Sequence, residues 1–397
     1  MNETMTSKER FLTAMRAGGV PDRVPVTPDI SNYIPCKRTG RPFWEIYFEK
    51  KFPLWRAYLA AADYFGIDAW MASCTSIPLL YKPSRVERQV EHVYDKREDA
   101  MIEKTLLRTP DGELTQQSLC FRAEPPSPIE KAIKNLVVDF PKFRWLLQEP
   151  VGMDMPVVEE MRAACEQRQI AFGLFVGYPG FQAWMGAVEG GIGPLCYAEC
   201  DTPEILQEWF ERDLANGTRV VELLISAKPD YILFGGSGTL TLASPELARK
   251  YAIPALKKWS AMTKKAGIPT MLHSCGRSRT LVDMLCDETD VNCINPLEIP
   301  PMGDVNLAEV KRARGHQISL MGNLHTTNVM LRGTAKEVRA AAIHALRDAG
   351  NGGGFILSSG DQCGPGTPDE NLFALVATAR SHGVYDRRSG TLVTTEA

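Results

Sequence analysis

The chain has no surplus of positive charge: 45 Lys and Arg stand against 48 Asp and Glu, a formal net charge of -3. With no excess cations to neutralise a dense phosphate surface, electrostatically driven binding to nucleic acid or to an anionic membrane is not expected. No apolar run approaches the roughly 20 residues that span a bilayer. A fixed-period repeat and a low-complexity tract are absent too. The opening residues, Met1-Asn2-Glu3-Thr4-Met5-Thr6, show no positively charged stretch followed by an apolar core, so the expectation is a soluble, cytoplasmic protein. In a reducing compartment its 10 cysteines read as free thiols rather than a disulfide framework.

What is present is ordinary globular composition, with 44% hydrophobic and 23% charged residues in 397. That length suits one large domain or two ordinary ones, and a single domain over residues 1–386 is preferred, followed by a polar C-terminal tail at 387–397. Short apolar runs alternate with amphipathic stretches. Candidate strands are 24–30, 69–74, 171–177, 231–236, 269–275, 290–298, 318–324 and 354–359. Between them lie helical patterns, among them 245–266 after a Ser244 cap and 335–349 with a Thr334/Glu337 capping box; Thr6 and Glu9 make a similar box before Phe11, Leu12 and Met15. Continuous apolar strands, each followed by a helix, are what a parallel sheet covered on both faces requires. Eight such units predict an α/β fold, a (β/α)8 TIM barrel, with a doubly wound open sheet as the alternative.

One segment breaks the rhythm. Leu106 to Leu114 is a hairpin with a Pro110-Asp111-Gly112 turn, so residues 82–150 read as a β-hairpin and helical insertion after strand 2, near the barrel mouth.

Chemistry concentrates at a few strand ends. His273 and Cys275 close the fifth strand, Glu298 the sixth, and Cys363 sits in the glycine-rich loop Ser359-Gly360-Asp361-Gln362-Cys363-Gly364 after the eighth. In a barrel these ends meet at one face. His273, Cys275 and Cys363 can hold Zn2+ with a weakly filled fourth position, for which Glu298 is the candidate because a carboxylate leaves more readily than a thiolate. Asp361 is placed to orient His273 or to ligate directly. The plain alternative is that a His-x-Cys pair at strand spacing belongs to the core. The Cys363 loop, leading to a helix capped by Thr367 and Glu370, points instead to reactive thiols. The eight other cysteines, including the pair Cys196 and Cys200, read as small buried hydrophobes.

Leu272-His273-Ser274-Cys275-Gly276, Asn295-Pro296-Leu297-Glu298, Gly322-Asn323, 353–360 and Thr367-Pro368-Asp369-Glu370-Asn371-Leu372 together resemble the uroporphyrinogen decarboxylase superfamily. The likeness is densest over 231–382. Its metal-free decarboxylases carry an arginine-rich motif after the first strand, whereas Pro28-Asp29-Ile30-Ser31-Asn32-Tyr33 has no arginine. The His-x-Cys with a distant Cys is similar instead to the zinc-dependent corrinoid methyltransferase branch, and the Asp361-Gln362-Cys363 ending to methyltransferase I of O-demethylase systems. The resemblance implies transfer of a methyl group from a methoxylated small molecule, such as an aryl methyl ether, to the cobalt of cobalamin carried on a corrinoid-binding partner protein. Two alternatives stay open, a methylcobalamin:thiol (coenzyme M type) methyltransferase and a metal-free decarboxylase. A homodimer is the assembly considered.

In that mechanism Glu298, Asp361 and Asp29 take the catalytic roles, although Asp29 reads equally as a solvated or capping residue. Gly235, Gly236, Asn323 and His325 are assigned to the corrinoid side. For the two glycines the reason is close approach of a ligand, since Gly235-Gly236-Ser237-Gly238 lacks a dinucleotide-binding pattern; the other two read alternatively as supporting groups or loop residues. Tyr178, Phe181 and Trp184 are candidates for an aromatic wall around a flat substrate, against the commoner role of core contacts.

Overall fold

Short, mostly apolar runs form the central sheet, and longer strands rich in charged and polar residues form the insertion. The structure, a computed structural model, describes residues 3–74 and 77–393. The insertion precedes the central sheet in the chain. Strands β2 (Glu87–Asp95), β3 (Ala100–Thr109), β4 (Gly112–Phe121) and β5 (Ser127–Glu130) make an antiparallel sheet in that order, and at its root β1 (Leu79–Tyr81) pairs with β6 (Pro150–Met153). The predicted turn joins β3 to β4 with Thr109 opposite Gly112. Gly112 has φ +125°, a value glycine reaches without a Cβ penalty, and Thr109 Oγ1 donates to its carbonyl at 2.7 Å.

The second sheet is parallel and six-stranded: β7 (Gly173–Gly177), β8 (Tyr231–Gly235), β9 (Thr270–His273), β10 (Cys293–Asn295), β11 (Ser319–Leu324) and β12 (Phe355–Ser359), neighbours in space as in sequence. Every residue of β8, β10, β11 and β12 is buried, as expected of a sheet covered on both faces. Helices Pro203–Ser226, Ile253–Lys265, Arg279–Glu288, Leu307–Arg314 and Ala335–Ala349 supply the outer layer. This is the barrel-type α/β arrangement expected, with two departures. The first predicted strand makes only a parallel bridge from Val26 to Leu357, and the second becomes a 3-10 turn at Met71–Cys74, beside β7. Asp68 N–H donates to the Val26 carbonyl at 2.9 Å, so both segments occupy their places in the ring without making regular ladders.

Four further expectations are corrected. The helix predicted over 245–266 breaks at Ala252 into Pro245–Tyr251 and Ile253–Lys265, with Pro254 in the new first turn, where proline costs no hydrogen bond. Thr367 does not cap the last helix, Asp369–His382, which follows Pro368 instead. The polar tail folds back: β13 (Tyr385–Asp386) pairs with β14 (Thr391–Leu392); residues 394–397 lie outside the described set. Cys196 and Cys200 are exposed, because their helix buries the opposite face through Leu195 and Ala198. Cys36, Cys120, Cys165 and Cys293 are buried as expected and Cys286 partly so; the Cys74 side chain lies outside the described residues.

At the N-terminal end of the sheet, Arg10, Arg23 and Asp68 form an almost fully buried ion network. Arg10 reaches Asp68 at 2.7 Å and Asp22 at 2.7 Å, and Arg23 reaches Asp68 at 2.7 Å. Asp68 also accepts the Val26 N–H at 2.8 Å. The guanidinium groups hold the Asp68 carboxyl below its usual range against the opposing effect of burial. Among the described residues, no helix is long and apolar enough to cross a membrane.

Candidate metal centre

Parallel register decides which side chains meet at the C-terminal ends. His273, the last residue of β9, lies opposite Asn295, the last of β10. Side chains at equivalent positions of adjacent strands share a face, and Asn295 Oδ1 accordingly accepts from His273 Nδ1 at 3.2 Å. An amide oxygen can only accept, so this contact suits a proton on Nδ1 and leaves Nε2 to face the cluster. Nε2 lies 3.9 Å from Asp361 Oδ1. The Trp70 ring packs beside the imidazole with centroids 6.1 Å apart.

After β10 the chain turns sharply. Leu297 is buried with φ +60°, a left-handed conformation that a branched side chain adopts at a cost of about 1–3 kcal/mol. Asn323 Nδ2 holds this turn by donating to the Leu297 carbonyl at 3.1 Å. The result aims Glu298 back at the β9 loop, where its carboxylate accepts the Gly276 N–H. Gly276, at φ +79°, supplies that N–H from a turn suited to a residue without a Cβ.

Cys275 Sγ and carboxylate oxygens of Glu298 and Asp361 lie within 4.8 Å of one another. Of the residues predicted to ligate, Cys275 and Glu298 are in this group. Asp361, predicted to orient or to ligate, completes it. His273 borders it through Asp361. Cys363 lies outside it: its thiol is fully buried and hydrogen-bonded to the Ser359 side chain, while its N–H donates to the Asp29 carbonyl at 2.7 Å. The reactive Cys363 thiol expected from the loop is therefore corrected, since burial pushes it up to about 12.

Burial works against the charged forms of Cys275, Glu298 and Asp29. Burial, then Asp361, raises Cys275 to about 11, against the lowering effect of the Ser237 hydroxyl. Burial raises Glu298 to about 7 although the Gly276 N–H lowers it. Burial raises Asp29 too, opposed by His273; its Oδ1 accepts the Ser31 N–H at 2.9 Å. Each of these three anions is disfavoured chiefly by burial, and no Lys or Arg figures among the leading causes. A bound dication reverses this balance. Thiol, carboxylate and imidazole donors in this proximity fit zinc, whose ligands in a tetrahedral site lie roughly 3–4 Å apart.

Behind Cys275 runs a chain of hydroxyls. Tyr178 Oη meets Thr239 Oγ1 at 2.6 Å, and Thr239 Oγ1 meets Ser274 Oγ at 2.8 Å. Tyr178 is thus a buried, engaged support rather than an open wall. Phe181 and Trp184 are corrected outright: each is 1% exposed, packed with Trp209, Tyr251 and Phe140 in a second apolar core beneath the insertion. The close approach expected at Gly235 and Gly236 is taken by protein, for a Cβ would lie 1.7 Å from the Phe175 ring at the first and 2.6 Å from the Tyr178 ring at the second. His325 Nδ1 accepts the Thr327 and Asn328 N–H groups, a capping role in the following turn. Asn295, Trp70, Ser237, Ser274 and Thr239 were given no role in the sequence. Asn295 was legible there, as a polar residue ending an apolar strand level with His273.

The chain is similar in part to several known proteins. Residues 200–382 match the family described as Uroporphyrinogen decarboxylase (URO-D). The match covers a little under half of the chain. The matched segment holds five of the six strands of the parallel sheet and His273, Cys275, Glu298, Asp361 and Cys363; Asp29 and the insertion lie outside it. Methylcobamide:CoM methyltransferase MtbA of Methanosarcina mazei is 27% identical over 295 residues, 68% of this chain and 74% of that protein. Methylcobamide:CoM methyltransferase MtaA of Methanosarcina barkeri is 32% identical over 136 residues, 34% of this chain and 37% of that protein. Uroporphyrinogen decarboxylase of Anaeromyxobacter dehalogenans is 28% identical over 232 residues, 57% of this chain and 62% of that protein. Among solved structures, a methyltransferase from Methanosarcina mazei superposes with a TM-score of 0.63 at 18% identity, covering 95% of this chain and 98% of that one. The last likeness concerns the fold. The chain is thus related to corrinoid methyltransferases and to decarboxylases of the superfamily alike.

Proposed function

We propose that the chain is a zinc-dependent methyltransferase that moves a methyl group from a methoxylated small molecule to the cobalt of a corrinoid protein. The observation that carries this reading is the cluster of Cys275, Glu298 and Asp361, with His273 at its edge, partly buried and, among the described residues, with no Lys or Arg paired to it. A metal-free decarboxylase acting on a polycarboxylate needs basic side chains at this place, and the groups here are acidic. Zinc bound there supplies Lewis acidity to the ether oxygen that leaves with its electron pair. One sulfur and two carboxylate oxygens withdraw less of that acidity than two thiolates, which suits an ether oxygen over a thiol. Asn295 holds the His273 Nε2 lone pair toward the cluster, the Leu297 turn presents Glu298, and the Ser274–Thr239–Tyr178 chain fixes the β9 loop.

The second reading is methyl transfer from a methylcobamide to a thiol, favoured by the MtbA and MtaA relatives. One pair of assays separates them. Purified protein with zinc, cob(I)alamin and a panel of methoxyarenes is expected to form methylcob(III)alamin, seen in the visible spectrum. If methylcobalamin is consumed with 2-mercaptoethanesulfonate instead, the thiol reading holds. Inactivity in both assays with zinc bound overturns the methyltransferase assignment.

Zinc affinity is expected to rise with pH. Glu298, at about 7, and Cys275, at about 11, must both lose protons to ligate, so competition with a chelator should show tighter binding at pH 8 than at pH 6, by roughly tenfold per pH unit for each proton displaced. A flat profile would remove both groups from the ligand set.

A further inference from the structure

Beside the barrel mouth lies a second concavity, of about 490 Å³, between the end of β7, helix Pro203–Ser226 and the root of the insertion at β1 and β6. Its volume is in the range of small-molecule sites. Ile77, Leu79, Phe175, Tyr178 and Val220 make its wall largely apolar, and one carboxylate, Asp213, lies in it. Trp184 Nε1 donates to Asp213 Oδ2 at 2.8 Å. Trp184 belongs to the second apolar core, so this bond fixes the carboxylate in place. Among the described residues Asp213 has no Lys, Arg or His partner.

A half-buried carboxylate with one neutral donor is under-compensated, and burial accordingly raises Asp213 to about 6. A ligand cation would relieve that cost, and the apolar wall would take up the rest of such a ligand. The bond to Trp184 uses one oxygen and leaves the other for it.

We infer that this cavity binds a small molecule carrying a protonated amine on an apolar body, with the ammonium on Asp213 and the body against Ile77, Phe175 and Val220. A ligand of this class uses none of the cluster at Cys275, so the inference stands apart from the proposed methyl transfer and is tested without it. The shape-matched probes are benzylamine, benzyl alcohol and benzoate, titrated calorimetrically into the full chain at neutral pH. Benzylamine should bind, with the alcohol and the acid weaker by roughly tenfold or more. Asp213→Asn keeps an acceptor for Trp184 and should weaken benzylamine by a similar factor. Ala183→Phe, at an exposed position on the rim, should block the cavity while leaving Asp213 intact, and it decides the matter if the first variant fails to fold. Benzylamine binding no better than the alcohol, or unchanged in the variants that fold, would overturn the inference.

Discussion

Cys275→Ser should strip the protein of zinc and reduce methyl transfer by roughly 100-fold or more, while the circular dichroism spectrum stays that of the parent. The thiol is the single sulfur in the close donor group, and a hydroxyl is a far weaker ligand for a borderline metal. The sheet and its helices bury their cores independently of that side chain, so folding is not at risk. Cys363→Ser is the paired experiment. With its thiol turned to Ser359 and outside the group, this variant should lose less metal than Cys275→Ser if the donors act as they stand. An equal loss in both, measured by metal analysis of the purified proteins, would mean that zinc draws Cys363 in and that Asp361 yields its place.

Asp68→Ala should destabilise the fold by about 3–5 kcal/mol, because it leaves Arg10 and Arg23 buried without their shared carboxylate. Denaturant unfolding read by tryptophan fluorescence is the measurement. A loss below about 1 kcal/mol would show that Asp22 and Glu3 suffice for the two guanidinium groups. The pH dependence has a definite sign. Asp22 is lowered to about 2, with the Arg10 hydrogen bond as its leading favourable contact, so its contribution is present above the unfolded value near 3.8 and is lost as pH falls toward 2. Zinc content at neutral pH should be unchanged in whatever fraction of Asp68→Ala remains folded, since this network lies at the opposite end of the sheet.

Local signals in the sequence were read correctly where one segment decides the outcome. The capping boxes at Thr6/Glu9 and Thr334/Glu337 form as their spacing implies, and the six central strands follow from short, mostly apolar runs. Readings that depend on a distant partner fared differently. Phe181 and Trp184 follow a strand end, where an aromatic can face a ligand or the protein; the insertion helix Leu136–Phe143, which shares their core, settles that, and nothing near residue 181 announces it. Asp361 and Cys363 are two residues apart in an irregular loop, so no periodicity tells which side chain enters the cluster. The left-handed Leu297 was equally hidden, being imposed by Asn323 from the next strand.

The hydrogen bond from Cys363 to the Asp29 carbonyl, with the Val26–Leu357 bridge below it, fastens the two ends of the chain along one seam. An ion gripped by Asp361 and Cys275 at the top of that seam would act as a clasp. Hydrogen exchange at Thr27 and Leu357, whose amides zip the seam, would then slow when zinc is added, making the state of the mouth readable from amides that never touch a substrate.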